Sequence, residues 1–436
     1  MDSPAGPLAF ALATPTGDDL ATAVAAFQKT PTALPLQCGV QHYGWGDPGF
    51  IPALIDAPNP RGLPFAELWI GAHPDLLATL QLGGWRLSLA ELISAAPETM
   101  LGEETRRRFG TELPFLLKVL AARHPLSIQA HPTREQARDG YQREDAIGLA
   151  LTDARRSYRD RNHKPELLVA LTDFYALRGF RPLETIQAEL SAAPELSALA
   201  APFRPTRAGL FELYHRMMEL DQAAVDTQLR PLIERYRRER EGQAFDPGDR
   251  RDWLLEADRL FSNGRHCDRG LFSILLLNLV SLHPGEAIFL PAGELHAYLR
   301  GAGIELMANS NNVLRGGLTR KHIDVPSLLE TLQIRPGPGA VLQPQPQPGN
   351  GADSYLTPAP EFLLERHTLS AGEERTIGQG PPRLRLGLVI DGQVTLDTGS
   401  GVPLGLEHGA TFVIPAACRG TLRSTQRSVV FTARVP

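Results

Sequence analysis

Apolar and polar positions along the chain fall into three textures. From Leu36 to Pro182, short apolar runs such as "PFLLKVL" and "ELLVAL" are broken by Pro and Gly, the signature of strands. Around Leu183 the pattern changes. "LETIQAELSAAPELSALAAP" and "AGLFELYHRMMELDQAAVDTQLRPLIERYRRERE" are rich in Ala, Leu, Glu and Arg, with apolar residues three and four apart, which predicts helices to near Phe261. Strands are expected again in "FSILLLNLVSLHPGEAIFLPAGELHAYL". "RPGPGAVLQPQPQPGNGAD", Arg335 to Asp353, reads as an unstructured Pro/Gly/Gln linker before a last β region.

The expected fold class is therefore mainly β with an α-helical insertion. An N-terminal extension (1–30) carries one short helix, "GDDLATAVAAFQK". A first β segment (31–182), a helical domain (183–262), a second β segment (263–334), the linker (335–353) and a C-terminal β domain (354–436) follow. "GEAIFLPAGELHAY" from Gly285 can be laid over "GATFVIPAACRGTL" from Gly409, an offset of 124 residues. Both read as strand, Pro-containing turn, strand, but His296 of the first copy falls on Gly420 of the second, which has no side chain to bind a metal. One barrel is then expected to hold a working site and the other to be scaffold.

With 42% hydrophobic and 21% charged residues, the 436-residue chain has an ordinary globular composition, enough for two or three domains. Its formal net charge of -5 and the absence of a large basic block argue against nucleic acid as partner, "ERYRRERE" reading as a solvated helix face. No apolar run approaches the roughly 18 residues of a membrane span. "MDSPAGPLAFALATP" lacks the basic start of a secretory signal, so a cytoplasmic protein is expected. Cys38, Cys267 and Cys418 are too few and too scattered for a disulfide framework or a thiolate zinc site.

Candidate chemistry begins in "LPFLLKVLAARHPLSIQAHP". In a strand, Ser127, Gln129 and His131 share one face, and Leu126, Ile128 and Ala130 the other. An amide and an imidazole thus stand together. His296 follows a proline turn at a strand start, and Glu166 opens an otherwise apolar strand after His163, Lys164 and Pro165. Gln129, His131, Glu166 and His296 make an N/O ligand set without thiol, suited to zinc, and one carboxylate leaves a divalent ion net positive and a strong Lewis acid.

In order along the chain, "QHYGWG", "AELWIGAHP", "LPFLLKVL", "PLSIQAHP", "NHKPEL" and "HAYLRGAGIELMANSNNVLRGGLTRKHIDVP" resemble the signatures of type I mannose-6-phosphate isomerases, from about Leu36 to Leu332. The resemblance implies two cupin-like (jelly-roll) β-barrels, the second metal-free, plus the helical domain. It implies one zinc per chain on Gln129, His131, Glu166 and His296, with Arg315 in "NVLRGGLT" as the principal active-site residue. The reaction implied is the interconversion of mannose 6-phosphate and fructose 6-phosphate, feeding mannose and GDP-mannose metabolism. Two departures stand out: Asn311 where the family usually has Asp, and Gly316 where it usually has Ala. The first removes a carboxylate near the chemistry.

An aldose–ketose isomerisation moves a proton between neighbouring carbons and builds negative charge on oxygen. Arg315, Lys321 and Ser127 offer a phosphate clamp. Lys118 and Lys164 lie beside the metal motifs, and one or the other is expected to have its pKa depressed by the ion's charge and to act in proton transfer. Glu305, an acid among apolar residues, is the carboxylate candidate for a base, and Trp45 and His73 are expected to line the pocket. A monomer acting on a small sugar phosphate is expected. A metal-keeping sugar-phosphate binding protein without catalysis is the rival from another class, and an iron dioxygenase on the same barrel the rival enzyme; Arg315 and the whole "NHKPE" stretch speak against the first, a glutamine ligand against the second.

Overall fold

The computed structural model describes residues 17–347 and 351–436, so the reading of "MDSPAGPLAFALATP" and part of the linker lie outside the described residues. The fold is mostly sheet with some helices. Its strands form open sheets of ten, seven, four and two strands, and no described sheet closes into a barrel. No described helix is long and apolar enough to cross a membrane.

The ten-stranded sheet is organised by one long strand, His296–Ala308. Its first residues pair with Phe174–Phe180 and, at His296, with Gln129; its later residues pair with both Phe115–Ala122 and Glu166–Ala170. A register shift between Tyr298 and Arg300 precedes Gly301, whose φ is 120°. A Cβ there would stand 2.5 Å from the Asp173 carbonyl, so glycine lets the strand change partners. The helices from Leu183 to Phe261 are inserted between two strands that pair with each other, Phe174–Phe180 and Leu277–Leu282. Their apolar faces form a core of their own around Leu210, Tyr214, Leu229 and Trp253.

The seven-stranded sheet belongs chiefly to residues beyond 352, but Leu34–Leu36 is its edge, pairing with Thr411–Val413. Period-two alternation joins the halves: Leu117, Val119, Leu167, Val169, Ile304 and Leu306 from one sheet share a core with Leu364, Leu386, Leu388, Val413, Phe431 and Ala433 from the other.

Two readings need correction. "FSILLL" is not strand: Leu271–Leu276 is a helix, and the strand starts at Leu277. All six of its side chains are buried, and a continuous apolar run carries no periodicity that tells a buried helix from a buried strand. The linker is partly ordered, with Leu342 bridging to Ala287 and Gln345–Pro346 pairing with Ser354 and Asp353. The 124-residue echo is structural. Ala287–Leu290 and Thr411–Ile414 are both strands, new strands begin at His296 and Gly420, and Gly285 and Gly409 both take positive φ, 92° and 77°.

Candidate functional site

Glu166 begins its strand directly opposite Leu290, and Met307 of the long strand lies on its other side. His296 opens that long strand, and Gln129 stands across from both His296 and Arg315, so one cross-strand row carries all three. His131 follows the short strand Ile128–Ala130. The result is a cluster in which His131, Glu166 and His296 offer ligand atoms all within 4.8 Å of one another, the group of His, Cys, Asp and Glu among the described residues that could hold a metal.

Its geometry fits a cation. The Glu166 carboxylate lies 3.3 Å from Nε2 of His131 and 3.3 Å from Nε2 of His296. Both imidazoles present Nε2, because Nδ1 of His131 donates to the Asn312 carbonyl at 2.7 Å and Nδ1 of His296 to the Glu294 carbonyl at 2.9 Å. All three side chains are buried, yet Nε2 of each histidine and Oε2 of Glu166 lack a protein hydrogen-bond partner. Burial pushes the His131 imidazole down to about 4, leaving it neutral and able to ligate. Burial alone would raise the Glu166 carboxyl; the Lys164 ammonium at 3.0 Å and the histidines outweigh it and hold the carboxyl well below its ordinary range.

Behind this cluster runs a buried charge network. Lys118 pairs with Glu305 at 3.1 Å and with Glu67 at 3.5 Å, and its ammonium lies 5.0 Å from the Trp69 ring centre. Burial would lower Lys118, but Glu67 and Glu305 raise it above the ordinary lysine range. Glu305 is raised by burial, opposed by Lys118 and reinforced by Glu166 and Glu67. Three buried carboxylates therefore face Lys118 and Lys164, a formal -1 that a divalent ion reverses to +1.

His73 is buried edge-on against Trp69, with ring centres 4.9 Å apart, and lines a cleft of about 830 Å³ together with Asp75, Arg159, Asp160 and Asn311. Trp45 packs instead with Leu126 against the apolar interior around Leu168 and Tyr298. Ser127 is half-buried just before the Gln129 strand. Arg315, Lys321 and Arg159 form a cationic group. Burial and Arg159 lower the Arg315 guanidinium; partial burial, Arg315 and Arg159 lower the Lys321 ammonium. Among the described residues none of the three has a carboxylate partner within ion-pair distance, which leaves their charge for an anion.

Sequence reasoning missed Arg159, Glu67, Trp69 and Asn312. Fully buried Asn312 receives the backbone N–H groups of Arg159 and Asp160 at 2.7 and 3.1 Å and donates to the carbonyls of Asp160 and Asn162 at 2.9 and 2.8 Å. Its side chain is thereby held by the turn at 159–162, which fixes the Asn312 carbonyl that orients His131. Glu67 and Trp69 lie inside "AELWIGAHP", where an acid in an apolar run was a legible signal; Arg159 carried none. The Asn311 amide donates to the Asp75 carboxylate at 2.9 Å.

Residues 33–183 match the family model described as phosphomannose isomerase type I, catalytic domain. The mannose-6-phosphate isomerase of Escherichia coli (strain K12) is 38% identical over 380 residues, 86% of this chain and 93% of the relative. That of Homo sapiens is 32% identical over 425 residues, 91% of this chain and 96% of the relative. A variant phosphomannose isomerase from Salmonella typhimurium, solved by crystallography, superposes with a TM-score of 0.82 at 33% identity, over 93% of this chain and 100% of that one. A zinc-bound mannose 6-phosphate isomerase structure gives 0.80 at 33%, over 92% and 98%. With this identity sustained over nearly the whole of both chains, the protein belongs to the type I phosphomannose isomerase family.

Proposed function

We propose that this chain is a zinc-dependent aldose–ketose isomerase that interconverts mannose 6-phosphate and fructose 6-phosphate. The observation that carries this reading is the convergence of three buried, unpartnered ligand atoms on His131, Glu166 and His296 beside three cations without counter-ions, Arg159, Arg315 and Lys321. Gln129 is the fourth proposed ligand, from its place in the same row as His296. Zinc bound there supplies Lewis-acid stabilisation of negative charge developing on substrate oxygen.

The side chains do the rest. Arg159 and Lys321 anchor the phosphate, with Ser127 as a further donor, and Arg315 lies between that anchor and the metal row, where a guanidinium can steady enediolate charge. Glu305, whose carboxyl is raised by burial, takes the proton next to the carbonyl and returns it to the neighbouring carbon. Lys118 fixes the Glu305 carboxylate, and Lys164, paired with Glu166, serves proton exchange at oxygen. His73 and Asp75 shape the sugar side of the cleft.

The finer architecture belongs to the same proposal. Two cupin-like halves, 31–182 with 263–334 and 354–436, pack on each other, with a helical domain at 183–262 inserted in the first; the 124-residue repeat of strand, turn and strand supports this. A cytoplasmic monomer is the proposed working form. A coupled assay of the purified protein with each hexose phosphate, with and without chelator, tests the function. Turnover that chelator abolishes and zinc restores is expected; zinc-dependent binding without turnover would instead favour a sugar-phosphate binding protein.

A further inference from the structure

The two loops that carry metal ligands meet on a residue from the other half of the molecule. Arg134 opens a helix three residues after His131, and His163 stands three residues before Glu166. Both reach Glu361: Nη2 of Arg134 donates to its Oε1 at 2.7 Å, and Nε2 of His163 is 2.7 Å from the same oxygen. Glu361 is 1% exposed, and among the described residues its Oε2 has no hydrogen-bond partner. The next residue, Phe362, is also 1% exposed, in the core shared by the two sheets, and the carbonyl of Pro360 accepts from Arg108 at 2.8 Å. Glu361 is thus pinned at its backbone and reaches out with its carboxylate.

A buried carboxylate is costly unless its partners hold it, and a partner that orients a ligand-bearing loop changes metal affinity without touching the metal. Here one oxygen ties the segment after His131 to the segment before Glu166, and it braces their direct contact, in which Nη2 of Arg134 lies 3.0 Å from Nε2 of His163. Pro132 and Pro165 stiffen the short connections between the clamp and the ligands. The Nε2 of His131 lies 3.3 Å from Glu166, so a small relative movement of the two loops alters the ligand separation directly.

We infer that Glu361 is a positioning residue: the C-terminal half sets the spacing of the His131 and Glu166 loops through the Arg134–Glu361–His163 clamp, and so tunes zinc affinity from outside the site. This rests on the metal site proposed above. It gives the C-terminal half a part in the chemistry beyond support.

The test is zinc affinity of the full chain, measured by competition with a chromophoric chelator, beside melting temperature of the metal-free protein. Loss of such an outer partner typically weakens metal binding about 10–100-fold. Glu361→Ala and His163→Ala should each raise the zinc dissociation constant by that order, and the double variant should be no worse than either. Glu361→Gln, which keeps an acceptor oxygen in place, should recover most of the loss. Val389→Ala, in the interior of the C-terminal half, should lower the melting temperature with zinc affinity unchanged. Unchanged affinity in Glu361→Ala, or the same loss in Val389→Ala, would overturn the clamp. Failure of the unsubstituted chain to bind zinc would instead remove the metal site itself, and the clamp with it.

Discussion

Glu166 and Arg385 occupy the same place in two copies of one structural unit. Glu166 lies opposite Leu290 in the first copy, and Arg385 opposite Ile414, 124 residues on from Leu290, in the second. The correspondence continues across the sheet. Glu305 faces Lys118 and Leu168, and its counterpart Thr432 faces Glu365 and Gly387. Where the first half buries a carboxylate and an ammonium, the second buries a guanidinium and a carboxylate, with Gly420 in place of His296. Polarity is inverted at the position of the proposed metal ligand, so the same backbone repels a cation there.

The inversion predicts opposite tolerance at the two positions. Among the described residues the nitrogen Nε of Arg385 has no hydrogen-bond partner, and no carboxylate lies within ion-pair distance of the guanidinium. A buried charge so poorly compensated is often replaced by an apolar side chain at no loss. Arg385→Met should leave the melting temperature unchanged or higher. Arg385→Glu, which adds a second carboxylate near Glu365, should lower it clearly, and neither should change zinc stoichiometry.

Glu166→Ala removes the charged member of the proposed ligand set, whose other members are neutral. Elemental analysis should find zinc lost together with turnover, while far-ultraviolet circular dichroism stays native. A full zinc complement in that variant would refute the ligand assignment.

The role proposed for Arg315 is to steady charge that exists only during reaction. Arg315→Ala should keep its zinc and lose roughly 10²–10³ in kcat, unrelieved by saturating mannose 6-phosphate. Arg159→Ala, at an exposed residue of the cleft, should mainly raise KM. A normal kcat with raised KM in Arg315→Ala would reduce it to an anchor.

Acid should loosen the metal-free protein through buried neutral histidines. Burial pushes His131 and His367 from 6.5 down to about 4, so between those values the unfolded chain binds protons that the folded chain refuses. Stability is full above about pH 6.5 and falls as pH drops toward 4. Melting temperature of the chelator-treated protein against pH should show this slope. His367→Gln should flatten part of it, because His367 lies in the C-terminal half, hydrogen-bonded to Thr432 at 3.0 Å and away from the metal.

Val413 belongs to the core shared by the two halves and is fully buried. Val413→Ala should cost about 1–3 kcal/mol by opening a cavity, lowering the melting temperature more than turnover per folded molecule. An equal fall in both would mean that this part of the core transmits to the site.

Local chemistry was legible without coordinates because it repeats with a short period or sits at a punctuated position. The acid that opens "ELLVAL", the proline turn before His296, the helical texture ending at Phe261 and the 124-residue echo are all properties of neighbours in the chain, and each reappears in the fold; the alternation around Gln129 is met only over Ile128–Ala130, with His131 beyond the strand. "FSILLL" was misread because an unbroken apolar run has no period to measure.

What only the tertiary structure decided is which distant charges share a burial site. Nothing near Lys118 in sequence foretells that Glu67 and Glu305 enclose it, so its pKa moves up. Nothing near Glu361 foretells that it joins Arg134 to His163. Side-chain identity and spacing determined which atoms could bind a metal, a phosphate or a proton. The folded topology determined their electrostatic neighbours, because Coulomb interactions in a buried interior depend on through-space distance and desolvation, which sequence separation does not measure.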